Sequence, residues 1–392
     1  VNPSTTSNPK QALTSVPMLD LGRQYSALRE EILAAVERVC ASQHFILGAE
    51  VEALEQEVAA YCGAAEAVGC ASGTDALWLG LLALGVQPGD TVVTTAFSFF
   101  ASASAIAHIG ARPVLLDVDP HALNLDPQQV EQFLALGKPR TLRALLPVHL
   151  YGQCADMDAF AQLSNKYELP ILEDAAQAIG AAWREKRAGA MGTVAAFSFY
   201  PTKNLSAYGD AGMVTTNDPE LAAHMRRLRN HGSPRRYLHD EIGWNSRLDA
   251  IQAAILRVKL PHIESWNRQR REHAATYDRL LTQSGLTAAT AGAPVRVLST
   301  SPLAHHVYHQ YVIRAQRRDA LREFLSARQI GSEIYYPLPL HLQPAFAYLG
   351  YKEGDLPESE RAAREVLALP MFPELTAAEQ QWVVESISEF YS

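Results

Sequence analysis

Cysteine is scarce in this 392-residue chain: there are four, Cys40, Cys62, Cys70 and Cys154, and no two stand in a CxxC pair. Their scatter gives no disulfide framework, argues against a zinc site and fits a reducing cytoplasm. Long apolar runs are lacking too. The longest, such as 76–83 and 194–199, fall well short of the roughly 20 residues that a membrane-spanning helix needs, so no membrane span is expected. The opening stretch has no apolar core of a signal peptide. It is polar and rich in Ser, Thr, Asn and Pro, and 1–16 is expected to form a disordered tail. Positive charge is not in excess: the formal net charge of −8 excludes a general nucleic-acid role, which requires a basic face. One local cluster, Arg226, Arg227, Arg229, Arg235 and Arg236, reads either as a small-anion site or as a solvated, salt-bridged helix surface. No GxGxxG opens a helix after any expected strand, which weakens a nicotinamide-dependent dehydrogenase reading.

What is present is an α/β pattern. With 48% hydrophobic and 19% charged residues, the chain can bury one large α/β core and a smaller second domain. From residue 67 short β-branched runs alternate with helical stretches, the pattern of a mainly parallel sheet covered by helices on both faces. Seven strands are expected, over 67–71, 91–97, 113–118, 144–149, 170–173, 194–199 and 212–216. Helical spacing over 25–42 and 50–61 adds a layer before them. Beyond them, 248–281 reads as a long helical stretch interrupted at Pro261, and the rest mixes short strands (311–314) with helices (319–328, 358–366). The expected division is a large domain, 17–255, and a small α+β domain, 256–392.

Three segments carry candidate chemistry. In Ser72-Gly73-Thr74-Asp75 a strand ends in a glycine turn and an apolar helix begins. Free backbone N–H groups and the helix dipole favour an anion there, although Ser72 or Thr74 can equally act as a plain helix cap. In Ile171-Leu172-Glu173-Asp174 an apolar strand runs into two acids at its carboxyl end, where α/β sheets bind ligands. The two acids point to opposite faces, so one of them enters the site, and Asp174 is the choice. A strand-end acid capping the next helix is the alternative. The third segment is Ser198-Phe199-Tyr200-Pro201-Thr202-Lys203-Asn204-Leu205. Seven lysines occur in the chain. Six of them, Lys10, Lys138, Lys166, Lys186, Lys259 and Lys352, stand in polar or helical contexts typical of surfaces. Lys203 follows an aromatic strand and precedes a glycine-containing loop, where burial lowers the pKa of an amine and makes it nucleophilic. A snorkelling surface lysine is the other reading.

Taken together, SGTDAL, EDAAQA, SFYPTKNL and GWNSRLD strongly resemble the DegT-like nucleotide-sugar aminotransferases of pyridoxal phosphate (PLP) fold type I, over nearly the whole chain. The resemblance implies that Lys203 holds PLP as a Schiff base and shuttles the proton, and that Asp174 pairs with the cofactor's ring nitrogen. It places Gln177 beside the ring, Phe99 stacked on it, and Gly73, Thr74 and Ser198 on the phosphate. It also implies that Asn245 reaches the cofactor of a neighbouring subunit, making the active unit a homodimer with shared sites. Arg247, Tyr335 and Tyr336 match sugar-pocket positions. His341 reads either as a substrate contact or as a structural histidine. Relatives with histidine at the position of Lys203 dehydrate deoxysugars, so the lysine argues for amino transfer. The implied reaction moves an amino group from glutamate to a nucleotide-linked keto-sugar. The run Tyr335-Tyr336-Pro337-Leu338-Pro339-Leu340-His341 looks most like members that aminate C3 of a hexose. The alternatives are amination at C4, a cyclitol or aromatic-precursor ketone, and a non-catalytic PLP-binding regulatory protein.

Overall fold

The computed structural model describes residues 15–287 and 292–392. All seven expected strands form, displaced by up to three residues at their ends: Glu66–Cys70, Thr91–Thr95, Arg112–Leu116, Leu142–Leu146, Leu172–Asp174, Val194–Ser198 and Gly212–Thr216. They do not make one continuous sheet. Four strands hydrogen-bond in the order 66–70, 212–216, 194–198, 172–174, and three in the order 112–116, 91–95, 142–146. The two sets meet only through the single parallel bridges Leu145–Ile171 and Val148–Asp174. Proline explains the gap, because Pro147 and Pro170 lie along this seam and neither has an N–H to give to a ladder. Their carbonyls still serve, accepting from Asp174 N–H at 2.9 Å and Leu145 N–H at 3.0 Å. Gly212–Thr216 is antiparallel to both of its neighbours, and the other paired strands of the three-stranded set are parallel.

Helices cover the sheets. The helix Gly73–Ala83 is apolar nearly all round and packs against the 172–174, 194–198 and 212–216 strands, with Gly80 close against Leu172 and Val194. The long stretch expected over 248–281 resolves into Ala250–Lys259, a 3₁₀ turn at Leu260–His262 that contains Pro261, and Ile263–Gln283. A separate core gathers Tyr277, Tyr311, Leu321, Phe372, Val383 and Ile387 around the strands Val295–Val297, Tyr311–Ala315 and Val366–Leu369. Val16 belongs to that core. It is wholly buried, its N–H donates to Gln329 O at 2.9 Å and its carbonyl accepts from Gly331 N–H at 2.8 Å, so the expected tail does not extend to residue 16. Residues 1–14 of that tail lie outside the described residues.

Lys259 also departs from expectation. It is 1% exposed rather than a surface residue, because Ser206 and the Tyr208 ring pack against its amine. The arginine cluster resolves toward structure: Arg226 pairs with Glu66, Arg227 with Glu241 and Arg229 with Glu55. No described helix is long and apolar enough to cross a membrane. All four cysteines are free thiols, and no cluster of metal-ligating side chains occurs among the described residues.

Candidate active site

Glu173 and Asp174 end the same strand and face opposite ways, as side-chain alternation requires. Glu173 turns into the core. It accepts from the backbone N–H groups of Gly189 (3.1 Å), Met191 (2.9 Å) and Gly192 (2.6 Å), and its Oε2 lies 2.9 Å from His149 Nε2. His149 Nδ1 accepts from Ala155 N–H at 3.1 Å, so the ring proton sits on Nε2 and is donated to Glu173. Asp174 turns the other way and is nearly as buried, at 4% exposure. It receives only the Ser102 hydroxyl (2.7 Å) and Ala176 N–H (3.2 Å). Burial holds its pKa above the usual carboxylate range, against the pull of those two donors and of the Lys203 charge.

Lys203 lies in a short excursion closed at its base by Ala207 N–H donating to Phe199 O at 2.8 Å. The residue keeps some exposure, yet its amine is desolvated enough to bring its pKa down to about 8, with Asp174 opposing the shift. Among the described residues no acceptor hydrogen-bonds this amine. His309, buried nearby, is pushed well below the usual histidine pKa by its burial and by the Lys203 and Arg270 charges.

The glycine turn adjoins this pair. Ser72 caps the Gly73–Ala83 helix by accepting from Asp75 N–H at 3.1 Å, which leaves Gly73 and Thr74 N–H without protein partners among the described residues. A side chain at Gly73 would come within 2.5 Å of Ser198 Cβ, and one at Gly212 would strike the Ser72 carbonyl. Only glycine allows the turn to lie this close to the ends of the two strands. The result is an anion-sized cradle of free N–H groups, the Thr74 side chain and the Ser198 hydroxyl.

Gln177 holds the third side. Its Oε1 accepts from Tyr151 N–H at 2.6 Å, and its Nε2 donates to the Tyr336 hydroxyl at 3.0 Å. Tyr336 is half-buried, the desolvation of its hydroxyl raises its pKa, and its ring lies 6.2 Å from both Phe97 and Phe99. Phe99 itself is 57% exposed. The Tyr151 hydroxyl donates to the Tyr335 carbonyl. Asn245 is exposed, in a segment fastened to the glycine turn by its neighbour Ser246, which donates to Asp75 at 2.8 Å. Arg247 reaches back to Asn230 at 3.3 Å. His341 is buried against Glu360 (3.1 Å) and Tyr351, and no hydrogen bond ties it to the Asp174–Gln177–Tyr336 group.

The geometry therefore gathers Gly73, Thr74, Phe99, Asp174, Gln177, Ser198, Lys203 and Tyr336, and leaves His341 in a buried pair of its own. Sequence reading passed over Ser102, Tyr151 and His309. Each joins the site across a large sequence separation, and none stands in a motif. The set fits PLP. It offers an unpartnered amine, a buried carboxylate short of a cation, a phosphate-sized cradle at a helix N-terminus and an exposed aromatic face.

The comparisons agree with that chemistry. A model of the DegT/DnrJ/EryC1/StrS aminotransferase family matches residues 26–388, and the chain belongs to that family; it is a PLP-dependent aminotransferase. It is 53% identical over 377 residues (96% of this chain, 99% of the relative) to a pleiotropic regulatory protein of Geobacillus stearothermophilus. It is 48% identical over 378 residues, 96% of both chains, to dTDP-3-amino-3,4,6-trideoxy-alpha-D-glucose transaminase of Streptomyces venezuelae. Among solved structures it matches S. venezuelae DesV in complex with a ketimine intermediate, with a TM-score of 0.91 and 45% identity, covering 96% of this chain and 99% of that one.

Proposed function

We propose that this protein transfers an amino group from glutamate to the C3 ketone of a nucleotide-linked hexose, with Lys203 as the residue that binds PLP covalently. The observation that carries the reading is the desolvated, unpartnered Lys203 amine close to the under-satisfied Asp174 carboxylate. The cofactor, when bound, supplies an electron sink for the charge left when a proton leaves the amino-bearing carbon. The chain's own residues do the rest. Lys203, its amine freed, carries that proton between carbons as general acid and base. Asp174, short of donors, keeps the ring nitrogen protonated, and the cation in turn relieves the cost of the buried carboxylate. Gly73, Thr74 and Ser198 bind the phosphate, Phe99 stacks on the ring and Gln177 fixes its edge. Tyr336, Tyr335 and Arg247 line the sugar side, and the similarity to a transaminase that makes a 3-amino sugar favours C3 over C4.

The active unit in this reading is a cytoplasmic homodimer. Phe45, Ile46, Tyr237, Leu238, Ile242 and Trp244 are exposed around the segment that carries Asn245, and Ile242 is 96% exposed. The first of these stretches is tied to the chain just beyond Asn245, with Ala250 N–H donating to Phe45 O at 2.8 Å. A second subunit covers this apolar surface and receives Asn245 at its own phosphate cradle.

The test is the visible spectrum of the purified protein before and after excess glutamate, followed by the addition of dTDP- and UDP-linked 3-keto sugars. Glutamate-driven conversion to the pyridoxamine form and formation of a 3-amino sugar establish the reading. The regulatory name of the 53% identical relative favours one other function, a PLP-binding regulator. Tight cofactor retention with no response to any amino donor would select it.

A further inference from the structure

The second buried lysine has no part in the chemistry above. Lys259 ends the Ala250–Lys259 helix, 1% exposed. Its Nζ donates to Ser206 O at 2.8 Å and to Ser206 Oγ at 3.1 Å, and lies 4.3 Å from the centre of the Tyr208 ring. No carboxylate pairs with it among the described residues, and burial lowers its pKa to about 8. Burying a cation without a counter-charge opposes folding, and a carbonyl, a hydroxyl and a ring face offset that only in part.

What this lysine holds is the chain just beyond Lys203. Two helical turns earlier on the same helix, Gln252 accepts from Tyr208 N–H at 2.8 Å and donates to Tyr208 O at 3.4 Å. From the opposite side Asn204 donates to Asn267 Oδ1 at 2.8 Å and to Val307 O at 3.2 Å, and its own Oδ1 meets His309 Nδ1 at 3.1 Å. Asn204, Ser206 and Tyr208 are thus each gripped through side chain or backbone by another element, and Ala207 N–H is held by Phe199 O. Leu205 and Ala207 are fully buried.

We propose that Lys259 is a positioning residue for Lys203: by holding Ser206 it fixes the 204–208 segment, so that the Lys203 amine stays desolvated beside Asp174. The inference rests on the reading of Lys203 as the residue that captures PLP. Lys259 acts through the backbone. Of the titratable groups near the Lys203 amine, Asp174 opposes the lowering of its pKa, while His309, its own pKa pushed well below the usual histidine value, stands neutral.

The test measures the rate at which apoprotein captures PLP, followed by absorbance from about pH 6 to about pH 10. Four proteins are compared with wild type: Lys259→Met, Lys259→Gln, Gln252→Ala and Lys203→Ala. Wild type should show a midpoint near the Lys203 value of about 8. Lys259→Met should move it upward toward the solvated-lysine value of about 10.4, slowing capture at neutral pH about tenfold for each unit moved. Its thermal midpoint should hold or rise, because an unpaired buried charge has gone. Lys259→Gln keeps a donor for Ser206 and should recover most of the wild-type profile. Gln252→Ala, at the more exposed grip, should shift the profile the same way by less. Unmoved midpoints in both Lys259→Met and Gln252→Ala overturn the inference, and so does a Lys259→Met that changes thermal stability alone. Capture by Lys203→Ala at the wild-type rate overturns instead the reading of Lys203, whatever Lys259 does.

Discussion

Glu173 and Asp174 share a strand, a burial depth and a chemistry, yet they live in opposite environments. Four donors converge on Glu173, and three of them come from the 189–192 turn, which it ties to the sheet. Asp174 has two donors and a raised pKa. A buried carboxylate that is fully satisfied holds a fold together, whereas one left short of positive charge is prepared to receive it. The pair separates structure from function over a single peptide bond.

That contrast can be broken experimentally. The largest effect is expected at the group facing Asp174: Lys203→Ala should lower turnover by a factor on the order of 10³ or more while circular dichroism and the unfolding midpoint stay at wild-type values. Asp174→Ala should come next, losing roughly 10²-fold or more in turnover and binding PLP weakly, with unfolding free energy changed by about 1 kcal/mol or less. Glu173→Ala should show the reverse. It leaves three N–H groups and the His149 ring without an acceptor, and urea titration should show a loss of about 3–5 kcal/mol. Equal stability losses at 173 and 174 would remove the distinction. A milder check is pH. With a pKa of about 8, roughly a tenth of the Lys203 amine is neutral at pH 7, so PLP capture should rise about tenfold on going to about pH 9 and then level off. A flat profile would mean that the amine is not desolvated. Smallest is Ser102→Ala, which removes one of the two donors to Asp174 and should cost turnover only a few-fold, about 1 kcal/mol.

Much of this was legible in the residues themselves. Strand 212–216 begins at a glycine and continues through β-branched residues, so both of its ends could be read directly. The opposed faces of Glu173 and Asp174 follow from strand alternation alone. The break between the two sheets was harder to see, since it depends on Pro147 and Pro170 being brought to one seam from distant parts of the chain. Ser102 was invisible for the same reason: a serine in an alanine-rich helix gives no sign that it meets an acid 72 residues later. Lys259 misled because helical spacing reports one apolar face and says nothing of what covers the other. The signal was its immediate flanks, the apolar Val258 and Leu260.

The bond from Ser246 to Asp75 has a thermodynamic reach beyond its 2.8 Å. It fastens the segment that presents Asn245 to the same helix N-terminus that is proposed to hold the phosphate. On the proposed pairing, whatever orders that helix end also orders the surface offered to the other subunit, and by linkage the reverse is equally true. Cofactor loading and self-association then become one coupled equilibrium, in which stripping the cofactor loosens the assembly and dilution loosens the cofactor.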